Sequence, residues 1–328
     1  MDDLLFYVRA VHFAATITIA GTVFFVVLIA EPAFRVAAAD SQVPLIIRGR
    51  VRWIAWTALL LTVLSGAAWL AVVAQTISDR PWTEVFSQGI VLTLLTRTGF
   101  GHVWLVRLVI VCALAVALVP FLSGPAAKSV PAKFVVVILA AGLIGLLAFA
   151  GHAAGGFGLE GVAHPVADFV HLIAAGAWVG GLLPLTLLLA ACGREATSIA
   201  VARTATLRFS ALGVVCVAAL IITGAVNTFY LAGSIAALTE TDYGHLLLIK
   251  VALFLAMIAI AAVNRLQLTP RLALAASGTA REALRRLRRN VVIEIAAGAV
   301  VIAVVAVLGV TPPAHLEHVI PHEQHHAH

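Results

Sequence analysis

The chain has 328 residues, 62% of them hydrophobic and only 11% charged, with a mean hydropathy of +1.08. That composition excludes a soluble domain, and apolar runs this long and uniform exclude barrel strands, which leaves an all-α polytopic membrane protein. The net charge of +6 collects in a few loops, so it does not signal a nucleic-acid partner.

In chain order, eight membrane spans are expected over 4–30, 52–76, 102–122, 133–151, 165–191, 208–232, 244–263 and 291–310. The segment 81–95, PWTEVFSQGIVLTLL, is apolar but short, which predicts an interfacial element rather than a ninth span. The acidic start MDDLLFYV lacks a basic n-region, so no signal peptide is expected. Cys112, Cys192 and Cys216 form no CxxC pair and predict no disulfide framework. The loops after the first, third, fifth and seventh spans hold sixteen of the 21 lysines and arginines. The alternate loops hold only Arg80 and Arg97. The positive-inside rule therefore puts those four basic loops in the cytoplasm and both termini outside. The run REALRRLRRN is expected to meet anionic lipid.

All twelve histidines then fall on the outer side. His164, Asp168 and His171 sit at i, i+4 and i+7 and share one face of the fifth span, followed by the small residues Ala174, Ala175, Gly176, Gly180 and Gly181. Ionisable side chains are costly in lipid, so such a cluster is a functional-site hypothesis, and two imidazoles with a carboxylate suit a soft or divalent metal. The plain alternative is a solvated helix start whose histidines cap and anchor it. The tail HLEHVIPHEQHHAH carries His315, His318, His322, His325, His326 and His328, a compositional signal of metal capture.

The chain also repeats. His12–Gly21 matches His171–Gly180 at an offset of 159, Ser65-Gly66-Ala67 matches Thr223-Gly224-Ala225 at 158, and TGFGHVWLVR (98–107) matches TDYGHLLLIK (241–250) at 143. Two four-helix repeats of the same orientation are predicted, with the first and fifth spans near a pseudo-two-fold axis. The expected division is 1–151, including an interfacial segment 78–100, then 152–311, then the histidine-rich tail 312–328.

With TGFGHVWLVRL, AGHAA (150–154), HLIAAGAWVGGL (171–182), YGHLLLIKVALF (243–254), VNRLQLTPRL (263–272) and a last helix holding Glu294 and VTPPA, the chain resembles the copper resistance protein D family of bacterial inner-membrane proteins. The resemblance implies eight helices, copper transfer from periplasm toward cytoplasm, and a small periplasmic copper-binding partner. His152 and His171 match the family motifs best, with His164 nearby. His102 and His245 depart from the residue expected after the family's glycine. No copper-binding domain is fused here, so either the tail substitutes for one or the partner is a separate chain.

The expected outer metal set is His12, His152, His164, Asp168 and His171, with His102 and His245 as further ligands and the tail as collector. Cys112, Cys216 and Met257 lie about ten residues from a span end, roughly 15 Å deep at ~1.5 Å per residue, where soft sulfur can relay Cu(I). The alternative for all three is ordinary core filling. Arg107 and Lys250 occupy matched positions and are expected to snorkel outward. Glu294 is expected to pair with Arg288 or Arg289, and Asn227 and Glu31-Pro32 are minor polar candidates. No nucleophile elbow, phosphate loop or HExxH motif is present, which argues against a hydrolase or an ATP-driven pump, and a copper transporter is the favoured reading. Two other functions use the same residues: a b-type cytochrome with haem on His12, His102, His171 and His245, and a copper chaperone that does not transport.

Overall fold

The computed structural model describes residues 2–123, 129–150, 160–193, 196–232, 234–273 and 278–311. Every regular element among them is helical. Eight helices are long and apolar enough to cross a membrane. They are α1 (Asp2–Phe25, prolonged by a π turn Val26–Ala30 and a helical turn Glu31–Ala33), α2 (Val43–Ser78), α5 (Gly99–Ser123), α6 (Val130–Gly145, ending in a 3-10 turn Leu146–Ala150), α7 (Glu160–Ala191), α8 (Ala196–Ala232), α10 (Asp242–Val263) and α11 (Gly278–Leu308). Two short helices, α3 (Trp82–Ser87) and α4 (Ile90–Arg97), precede α5, and α9 (Ile235–Glu240) precedes α10. The expected interfacial segment is thus a pair of helices of 6 and 8 residues, broken at Gly89, whose φ of +66° suits glycine.

Several helices start earlier than the apolar runs predict. α11 begins at Gly278 because Ala280, Ala283, Leu284, Leu287 and Val291 form a buried helical stripe while Arg281, Arg285, Arg286, Arg288 and Arg289 stay exposed. A search for continuous apolar residues misses such an amphipathic turn. Ile47 and Val51 extend α2 in the same way.

α1 and α7 form the centre of the bundle: 67% and 61% of their apolar windows are buried, against 11% for α10. They cross at Gly21 and Gly180, where a Cβ on Gly180 would run into the Ile17 carbonyl and come within 3.0 Å of the Gly21 Cα. Only glycine permits that approach, as in other small-residue crossings in lipid. Around the crossing Ile19, Val23, Trp178, Leu182 and Leu185 are buried in one continuous core. On the outside Trp53, Val116, Phe134 and Phe229 stand exposed, as a lipid-facing surface requires.

The end of α1 shows how polar groups are settled. Pro32 has no N–H to give the Leu28 carbonyl four residues earlier, and Arg208 of α8 donates its Nε–H to that oxygen at 2.9 Å. Glu31 is held by a two-pronged contact from Arg48, with N–O distances of 3.1 to 3.2 Å. Glu31 is therefore a structural partner at this loop.

Candidate functional site

The repeated motifs build two matched cradles, one in each half, on either side of the α1–α7 crossing. In the first, Ser65 Oγ of α2 donates to the Leu61 carbonyl, so it can only accept from His12 Nδ1, 3.0 Å away. In the second, Thr223 Oγ1 of α8 donates to the Ala219 carbonyl at 2.6 Å and accepts from His171 Nδ1 at 2.9 Å. Each imidazole is thereby fixed with its proton on Nδ1 and its lone pair on Nε2. Gly66 and Gly224 lie beneath the two rings, where an added Cβ would stand 3.3 and 3.7 Å from Cε1.

The lone pairs meet different fates. His12 Nε2 accepts from Arg107 Nη2 at 2.8 Å, and Arg107 Nη1 also donates to the Leu143 carbonyl. Arg107 is 2% exposed and His12 1%, with Trp69 and Trp104 packed around the imidazole. His171 Nε2 makes no hydrogen bond among the described residues. Lys250, which matches Arg107, lies close enough for its charge to act on both His171 and Asp168, yet it makes no ion-pair contact with Asp168.

The flanking positions differ in kind. Asp168 in the second cradle corresponds to Arg9 in the first, and Asn227 to Trp69. Arg9 stacks on Trp69 at 4.9 Å and donates to the Gly309 carbonyl at 2.9 Å. Asp168 Oδ1 accepts from Asn227 Nδ2 at 3.1 Å, and His164 stacks on Tyr230 at 5.5 Å. Asn227 Oδ1 is buried without a partner. Asn227 Oδ1 is thus an orphaned buried acceptor on the residue that holds Asp168, one turn of α7 from His171, and a cation entering this cradle would satisfy it. The first cradle offers a cation two guanidinium groups and a wall of indoles instead.

A model of the copper resistance protein D family matches residues 203–308, and one of the copper resistance protein D-like N-terminal domain matches residues 1–162. Copper resistance protein D of Pseudomonas syringae pv. tomato is 31% identical over 223 residues, covering 67% of this chain and 71% of the relative. This chain belongs to the copper resistance protein D family. Copper transport protein CutJ of Bacillus subtilis (strain 168) is 30% identical over 181 residues, which is 55% of this chain but 33% of the relative. Inner membrane protein YebZ of Escherichia coli (strain K12) is 34% identical over 189 residues, 58% of this chain and 61% of the relative.

In this member of the copper resistance protein D family, the residues expected to form one outer metal set are distributed. Among the described residues no three His, Cys, Asp or Glu side chains gather to hold one ion. His12 is committed to Arg107, so it is removed from the ligand set. His152 and the tail histidines lie outside the described residues. His102 and His245 are exposed, and their Nε2 atoms contact the Thr96 and Thr239 carbonyls at 3.1 and 2.9 Å, so both serve as matched fasteners of the short helices α4 and α9. Below each, Gly101 and Gly244 donate to Thr98 Oγ1 and Thr241 Oγ1 at 2.9 and 3.0 Å. Cys112 is exposed on α5 while Cys216 and Met257 are buried in the core, which separates the first member of the expected sulfur relay from the other two. Cys192, just past α7, is pushed up to about 12 by burial and stays a thiol.

Two polar residues also differ from expectation. Arg107 does not snorkel outward, because the carbonyl and imidazole it meets in the core replace water. Glu294 is not paired with Arg288 or Arg289; its Oε1 accepts from Asn264 Nδ2 at 2.8 Å. Ser65 and Thr223 as histidine partners were visible in the sequence only as a repeated hydroxyl-Gly-Ala, with nothing there to name the group they touch.

Proposed function

We propose that the chain is a multi-pass inner-membrane transporter that carries copper from the periplasm toward the cytoplasm, with both termini periplasmic. Capture takes place on the α7 face of His164, Asp168 and His171, joined by Asn227, and the histidine tail collects ions for it. What supports this is that His171 Nε2 makes no hydrogen bond among the described residues, while Asn227, whose amide holds Asp168 one turn of α7 away, keeps a buried Oδ1 without a partner. Nitrogen and oxygen donors in an incompletely closed cradle suit a cargo that must also leave. The family name and the names of the relatives support copper as that cargo. The concentration of basic residues in alternate loops supports the orientation. No enzymatic step is part of this reading.

The test is copper binding by the purified full-length protein, measured by competition with a chelator. His171→Ala is expected to weaken the tightest site by on the order of 100-fold, comparable with or above the loss from an outer-shell partner. His12→Asn, in protein shown to be folded, is expected to leave that affinity unchanged. Deleting 315–328 is expected to lower the number of ions bound and not the tightest affinity. Equal affinities in the His171 variant and the unaltered protein would sink the assigned site.

A further inference from the structure

The α7 face that carries His164, Asp168 and His171 continues through Trp178, Leu182, Leu185 and Leu189 at the same helical spacing. Those last four residues line a cavity of about 170 Å³ between α7, α8, α10 and α11. Its polar end holds Glu294, which is 2% exposed. Asn264 donates to Glu294 at 2.8 Å, and both ends of that amide are committed, because Asn264 Oδ1 accepts from Asn290 Nδ2 at 2.8 Å. Asn264 is itself anchored at the head of a π turn, where its carbonyl accepts from Thr269 Oγ1 at 2.7 Å just before Pro270. π turns inside α-helices mark functional positions often enough to be worth testing.

Arg265 is the only other ionisable side chain among the described residues lining the cavity, and it is held at the rim on Ser210 Oγ at 2.8 Å. It makes no ion pair with Glu294, and Arg288 and Arg289 on the same helix are exposed. The carboxyl therefore has one neutral donor and no cation. Burying a bare carboxylate costs several kcal/mol, more than one amide hydrogen bond returns, so its charge must be met by a proton or a cation. The other uncharged polar side chains lining the cavity are Thr206, Ser210 and Asn264, which include no soft ligand that would hold Cu(I) in place.

We propose that Glu294 is a proton-exchange site on the far side of the same α7 track, so that copper passage is coupled to proton movement in the opposite sense. In the exchange the carboxyl O–H bond breaks as the passing cation replaces the proton's charge, the proton leaves toward the histidine end of the α7 track, and water at the basic end reprotonates the carboxyl once the cation has gone. The coupling rests on the transport reading above; the proton site itself does not. Trp178, buried and in edge contact with Phe254 at 6.0 Å, separates the histidine cradle from this cavity.

The first experiment uses the full chain in lipid vesicles and dicyclohexylcarbodiimide, an apolar reagent whose C=N bond takes up the O–H of a protonated carboxyl and rearranges to a stable N-acylurea. One adduct is expected on Glu294 by peptide mass mapping. Its rate should fall with rising pH, roughly tenfold per unit above the midpoint. Asp168→Asn should keep the adduct. Glu294→Gln, whose amide oxygen can still accept from Asn264, should lose it. An adduct rate unaffected by pH, or suppressed by sodium at constant pH, would overturn the proton assignment, as would no adduct in acid. The second experiment follows copper uptake with an internal pH dye. Glu294→Gln should bind copper with unchanged affinity and lose the copper-driven pH change. If the unaltered protein takes up no copper, the transport reading fails while the labelling result stands. If uptake and pH change are equal with and without Glu294, this inference alone fails.

Discussion

Gly180→Leu should yield no folded protein, seen as loss of the monodisperse peak in detergent and of any thermal transition. A Cβ at that position meets backbone on the partner helix, the Ile17 carbonyl and the Gly21 Cα, so no side chain can move aside to admit it. α1 and α7 would have to separate, opening the packing of Ile19, Trp178 and Leu182 on both sides of the crossing. Overpacking of this kind costs about 3 kcal/mol or more, a large share of the stability of any domain. Gly49→Leu is the control. Nothing lies within 4 Å of a Cβ there, and exchanging this half-buried helical glycine for leucine should be neutral or mildly stabilising. Two equally stable variants would show that the helices do not cross as described.

Arg107→Met should destabilise the protein and at the same time create a new metal site. The change leaves two buried acceptors unsatisfied: His12 Nε2, and the Leu143 carbonyl near the end of α6, where the helix tightens into a 3-10 turn. Orphaning two such groups costs about 3 kcal/mol. It should show as a thermal midpoint lowered by several degrees. The freed His12 lone pair should then bind an additional, weaker copper equivalent, detected by elemental analysis after dialysis. The double variant His12→Asn, Arg107→Met should lose that extra equivalent again. If the single variant gains no copper, Arg107 is not what keeps metal from the first cradle.

The number and order of the spans were legible because each is a long apolar run, and lipid leaves the backbone no alternative to helix. The early starts of α2 and α11 were not, since arginines interrupt each extension and its buried stripe is visible only against a neighbour. The matched histidines, hydroxyls and glycines could be read as a repeat from their offsets. What the offsets could not tell is that the lone pair of one histidine is taken by an arginine while that of the other is left free. That difference turns on reach and geometry: the planar guanidinium of Arg107 serves a carbonyl and an imidazole at once, whereas the single ammonium of Lys250 cannot be placed from sequence. Glu294 was visible as an intramembrane carboxylate, but its neutral partner comes from another helix 30 residues away.

The unequal cradles have an electrostatic consequence. The first carries Arg9 and Arg107 and no carboxylate, while in the second Asp168 offsets Lys250. Both lie at the same end of the bundle, so a potential gradient runs sideways across it, from the cradle with two positive charges and no carboxylate to the cradle in which the charges offset. In surroundings of low dielectric such a gradient is poorly screened and acts over the width of a helix pair. On the capture reading proposed above, a cation arriving at that end would be driven laterally, away from the first cradle and toward the second, before it moves inward.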